Sequence, residues 1–177
     1  MVEVWESADF DQESRGRNWY RTANQLATMI SDGNTAAGAG VIAALSANKR
    51  WTENVKLATR AFENGEPSGS FGDALRKAAR IMAGEDPELV LPMDSKTGHF
   101  YRCILDPTDA EAICIDRHAH DIAVGERYGN RDRGLSSKAR YALLADVYKR
   151  AAKRINVIPQ ELQAVTWVVW IERKVSE

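Results

Sequence analysis

The 177-residue chain is poor in the residues that staple small proteins or interrupt helices, with two cysteines and five prolines. Cys103 and Cys114 are too few for a disulfide framework or a four-cysteine iron–sulfur cluster, and they read as two reduced thiols. No run of about 18 apolar residues occurs, so the sequence offers no transmembrane helix and no membrane partner. The first thirteen residues carry Glu3, Glu6, Asp9, Asp11 and Glu13 and no base, which is the pattern of neither a secretory nor a mitochondrial leader. The expectation is therefore a cytoplasmic protein. A net charge of −1 also lacks the basic excess of most nucleic-acid-binding domains. Repeats, low-complexity tracts and long linkers are missing too, so residues 1–177 read as a single helical domain.

What is present is helical periodicity. Residues 14–30 place Trp19, Ala23, Leu26 and Ile30 at three- and four-residue spacing before the stop at Ser31-Asp32-Gly33. Asn34-Thr35 caps a helix over 36–46 whose alanines and glycines let another helix approach closely. A third helix carries Val55, Leu57, Ala58 and Phe62 and ends at Asn64-Gly65, and a fourth spans 71–82 with Leu75, Ala78, Ala79 and Met82 inward. Asp86-Pro87 then opens a short helical turn to Val90, followed by a tight connector over 91–95 and a helix over 96–105. Asp106-Pro107 starts another brief helical turn. An apolar run over 112–115 delivers Asp116 to a helix over 117–124. Ser136-Ser137 introduces a long helix with Tyr141, Leu144, Ala145, Tyr148 and Ala152 on one stripe, and Pro159 starts a last helix over 160–171 with Leu162, Val165, Thr166 and Val169 along one side. The fold class is all-α, read as one two-lobed helical body.

Several residues can carry chemistry. Asp116 follows a buried apolar run and stands at a helix start, where an aspartate is an N-cap. The same carboxylate can stabilise the positive charge that develops on a sugar when an N-glycosidic bond breaks, and the two roles coexist in one residue. Lys96 is either a solvated lysine at a helix start or, if buried, an amine nucleophile. His118, His120 and Asp121, with Asp116, suggest a metal site, but His118 and His120 lie two apart, on different faces of a helix, so they do not form a metal pair, and no metal or cofactor is expected. Lys49, Arg50 and Trp51 combine phosphate-binding heads with a ring that can stack on a base, or they form a turn with Trp51 in the core. Residues 127–154 hold nine bases against two acids, either a solvated face or a set of phosphate contacts.

Four segments, taken in order, resemble the helix-hairpin-helix base-excision DNA glycosylase superfamily. Ala44-Leu45-Ser46-Ala47-Asn48 followed by Trp51 to Thr59 is similar to the early LSAQ or LSPQ helix pair with its NV-K-AT stretch. Lys77 to Met82 looks like the basic helix before the hairpin. Leu91-Pro92-Met93-Asp94-Ser95-Lys96-Thr97 is similar to the hairpin LPGVGxKTA, and Ile113-Cys114-Ile115-Asp116-Arg117-His118-Ala119 resembles the VDTHV segment. The resemblance covers residues 36–125, with 126–177 completing the second lobe. It implies a DNA partner and a base flipped into a cleft between the lobes. It also implies Asp116 as catalytic carboxylate, Lys96 at the position where lyase members hold a nucleophilic lysine, and Asn48 filling the gap left by the flipped base. Ser95, Thr97, Arg117 and His118 fall at DNA-contacting positions. The chain departs from the pattern where Met93-Asp94-Ser95 replaces the glycines of a hairpin one residue longer, which sets Asp94 where a phosphate would approach. A diverged, phage-encoded member would suit the small size. Two functions follow: a DNA glycosylase or base-modifying enzyme, or a non-catalytic module that keeps the fold to bind DNA or a protein.

Overall fold

The computed structural model describes residues 1–175. Among them are eleven α-helices and no strand, so the all-α expectation holds. The helices are α1 (Val2–Glu6), α2 (Phe10–Arg17), α3 (Trp19–Ile30), α4 (Thr35–Ala44), α5 (Trp51–Asn64), α6 (Gly72–Met82), α7 (Pro87–Val90), α8 (Lys96–Leu105), α9 (Arg117–Val124), α10 (Lys138–Arg154) and α11 (Pro159–Val175). No helix among the described residues is long and apolar enough to cross a membrane. The chain divides into two compact units, one made of residues 1–20 and 108–177 and the other of residues 21–107. Asp116 thus belongs with the terminal helices.

The first unit is organised around α11, against which α1, α2, α9 and α10 pack. Its core joins Ile113, Ile115 and Ala119 to Tyr141, Leu144, Ala145, Tyr148 and Ala152 of α10 and Leu162 of α11, so the stripe read on α10 is the buried one. The predicted single helix over 14–30 is two helices. Asn18 turns its side-chain amide onto the Ser14 carbonyl (2.9 Å) and so competes with the backbone ladder that would continue α2. At the end of α2, Gly16 lies so close to Val165 that any β-carbon there would overlap the Val165 backbone. The five-residue α1 is too short to leave a periodic signal, and only its packing on α11 explains it.

In the second unit α4 is the central helix, with α5, α6, α7 and α8 around it. Residues Gly38 to Leu45 are all buried, as expected of a helix that is apolar all round. The small residues do what their size suggests: Gly38 sits directly on the backbone of Ala27 in α3, and Gly40 faces Pro87 and Ile81. The inward face of α6 differs from the expected one. Its buried residues are Ala74, Ala78 and Ile81, whereas Ala79, expected inward, is exposed. Around Asp106-Pro107 the chain makes a turn at 107–108 and no helix.

Candidate functional site

The site in the first unit begins with an extended, buried segment that has no sheet to pair with. Asp109 starts it by accepting the Glu111 and Ala112 amides on one carboxylate oxygen (2.7 and 2.9 Å). Residues 112–115 are then buried without strand partners, so their peptide groups need other acceptors and donors. The Tyr141 hydroxyl supplies one of each, donating to the Ile113 carbonyl (2.7 Å) and accepting the Ile115 amide (2.9 Å). Tyr148, fully buried, donates to the Ala119 carbonyl (2.8 Å), and burial together with the nearby charge of Asp116 pushes its phenol up. Asp116 is delivered half-buried at the start of α9, between backbone held by Tyr141 at residues 113 and 115 and by Tyr148 at Ala119.

Both Asp116 oxygens have directed partners. Oδ1 accepts the Ala119 amide (2.8 Å), which is the N-cap role read from the sequence, and Oδ2 accepts the Trp167 indole N–H (3.0 Å). The Trp167 ring meets the ring edges of His118 and Trp19, each with centroids 6.3 Å away. Arg117 is exposed and donates from Nε to His118 Nε2 (3.2 Å). Asp116, Arg117 and His118 are therefore together, a carboxylate beside an aromatic wall.

The remaining site residues lie in the second unit. Leu91 to Ser95 form the expected tight turn between α7 and α8, and Ser95 turns its hydroxyl back to the Pro92 carbonyl (2.8 Å) rather than onto the first turn of α8. The glycine that shapes this hairpin is Gly98, because a β-carbon there would overlap the backbone of Pro92 and Met93. Lys96 is exposed at the first position of α8, without the desolvated setting an amine nucleophile uses, and Thr97 is half-buried. Asn48 is exposed in the left-handed region (φ 56°), a conformation asparagine tolerates. Lys49 pairs with Glu53 (3.0 Å), and Arg50 flanks α5 without a side-chain cap. Trp51 packs edge-on against Phe100 of α8 with centroids 6.4 Å apart, which links the 48–51 turn to the helix that follows the hairpin.

Residues 1–174 match the family of unknown function DUF7178. The chain belongs to that family. No curated protein and no solved structure matches it.

Much of the basic stretch in this DUF7178 chain is engaged by the protein itself. Arg127 stacks on Trp170 (4.4 Å) and donates to its carbonyl, Arg131 stacks on Tyr128 (4.1 Å) and pairs with Glu126, and Lys149 pairs with Glu111. Arg133 grips Asp121 through Nε and Nη2 (2.7 and 2.8 Å). Burial alone would raise the Asp121 carboxyl, but Arg133, His120 and the Tyr128 amide overcome it and hold the group at about 2. Sequence reasoning weighed Asp121 only for a metal site, placed Tyr141 and Tyr148 only on a buried stripe, and did not foresee the Trp167 indole on Asp116. The tyrosines had a signal: on a buried stripe, each phenol must find a partner for its hydroxyl. Nothing local ties Asp121 to Arg133, because that partner lies across a loop.

Proposed function

We propose that this DUF7178 protein acts on nucleobases in DNA as a glycosylase-like enzyme, with Asp116 as the group that stabilises the sugar cation. The observation carrying this reading is the fixed, half-buried Asp116 carboxylate beside the Trp167 and His118 rings. When the C1′–N bond breaks, its electron pair leaves with the base and C1′ becomes an oxocarbenium ion. A carboxylate already oriented by N–H donors stabilises that charge without reorganising, and water then adds to C1′ and loses a proton. The four-segment resemblance to the helix-hairpin-helix glycosylases supports the same chemistry. Lys49, Arg50 and Lys96 supply positive charge for phosphates on the second unit, and the exposed Arg150, Lys153 and Arg154 do so on the first.

The second reading is a non-catalytic DNA- or protein-binding module. It is favoured by the fact that both Asp116 oxygens already serve the fold, one as a helix cap and one on Trp167. Asp116→Asn separates the two: asparagine still caps the helix with its one oxygen, while its amide turns a donor toward the Trp167 indole N–H, so a stability loss of about 1 to 3 kcal/mol is expected and urea unfolding is measured beside the assay. The assay scores base release and salt-dependent binding on single-stranded and duplex oligonucleotides carrying damaged or hypermodified bases. Release by the wild type that falls about 100-fold or more in the variant, with binding kept, establishes the enzyme. Binding by both proteins with no release by either moves the conclusion to the module.

A further inference from the structure

Between α9 and α10 the chain runs through a nine-residue segment, 126–134, that has no secondary structure of its own beyond turns. A glycine in the left-handed region stands at each end, Gly125 with φ 76° and Gly134 with φ 64°. A β-carbon would meet nothing within 4 Å at Gly125 and only the Arg140 side chain, at 3.7 Å, at Gly134. Most of the segment is exposed, so little apolar burial holds it down. Its attachment converges instead on one carboxylate. Asp121 Oδ2 accepts the Tyr128 amide (3.1 Å) and Arg133 Nη2 (2.8 Å), while Oδ1 accepts Arg133 Nε (2.7 Å). Both halves of the segment thus hang on the same side chain, and its N-terminal end is held further by the Glu126 amide on the Asp121 carbonyl (3.1 Å) and by Arg127 on Trp170.

What lies beneath is unusual for a surface loop to cover. His120 is completely buried, with the Tyr128 ring edge-on at 4.6 Å. Arg140 faces its Nε2 at 3.3 Å and can only donate, so the ring proton sits on Nδ1 and goes to Asp121 (2.9 Å). The Trp170 indole N–H, under Arg127, is buried with no acceptor. An unmet buried donor penalises the closed arrangement, and water would satisfy it once the segment lifts.

We propose that residues 126–134 are a strap, latched by Asp121, whose release uncovers His120 and the Trp170 indole while α10 and α11 stay packed. The strap and the Asp116 site share their supports, since α9 is capped by Asp116 and carries Asp121, and α11 carries Trp167 and Trp170. The strap itself is independent of any catalytic activity and is tested without substrate. Hydrogen exchange is followed by mass spectrometry on the full chain for wild type, Arg133→Gln and Asp121→Asn, together with diethylpyrocarbonate modification mapped to each histidine. The expected result in Arg133→Gln is exchange about tenfold faster or more in 126–134, unchanged exchange in α10 and α11, and increased modification of His120. Unchanged exchange of the segment in both variants would overturn the proposal. So would exchange that rises there only together with α10 and α11, because the network would then be part of the core and not a latch.

Discussion

The two units hold their site segments by different physics. In the first, side chains tie down backbone that no regular structure satisfies: Asp109 on residues 111 and 112, Tyr141 on residues 113 and 115, and Asp121 on the 126–134 segment. The second relies on missing side chains, with Gly38 on Ala27, Gly40 on Pro87 and Gly98 on the Pro92-Met93 turn. The first unit has one such steric contact of its own, Gly16 on Val165. The difference teaches where each unit is vulnerable. A steric contact fails when an atom is added, whereas a polar tether fails when one is removed or protonated.

The largest effect is therefore expected from Gly38→Ala. Its β-carbon would overlap the Ala27 carbonyl and its neighbours, which are backbone atoms and yield only if α3 and α4 separate. A loss of about 3 kcal/mol is expected from urea unfolding, despite the better helix propensity of alanine. A loss under about 1 kcal/mol would mean that the helices adapt, and the steric account of this unit would fail.

Tyr141→Phe adds no atom and creates almost no cavity, but it removes the hydroxyl that accepts the buried Ile115 amide and donates to the Ile113 carbonyl. The expected cost is about 2 to 3 kcal/mol. Under the proposed function base release also falls, because the segment that delivers Asp116 loses its anchor. A stability near wild type would show that water or another group replaces the hydroxyl, and the contrast between the units would weaken.

These contrasts also mark what the sequence could tell. Steric packing follows from size and periodicity, which is why the close approach at α4 and the stripe on α10 were legible. Asp116 was legible as a cap because an aspartate before a helix is a local pattern. Its second partner was not, since Trp167 lies 51 residues away and its ring direction depends on how α11 packs. The same holds for Arg133: a charge count over 127–154 suggested phosphate contacts, yet only the fold shows that this guanidinium is committed to Asp121. The hairpin shows the reverse case. Its turn was placed correctly, but the glycine it depends on is Gly98 inside α8, beyond the turn where glycines were sought.

The smallest effect, and the one that separates the tethers from the steric contacts under mild conditions, is acid sensitivity. Asp121 titrates at about 2 in the folded protein against an ordinary value of 3.8. Its folded-state value is depressed, so the stabilisation it contributes is fully present above 3.8 and is lost as pH falls from there toward 2. Asp121→Asn should be less stable near neutrality and show a shallower loss of stability across that window. Four of the five tryptophans (Trp5, Trp19, Trp167 and Trp170) lie in the first unit, so tryptophan emission in urea titrations at successive pH values reports mainly on it. Other carboxylates contribute as well, Glu172 among them, held low by Arg15 and Gln12, but they do so equally in both proteins. The difference between the two slopes thus isolates Asp121. Equal slopes would mean that the carboxylate gains nothing from Arg133 and His120 in the fold, and the polar-tether account of the first unit would lose its electrostatic part.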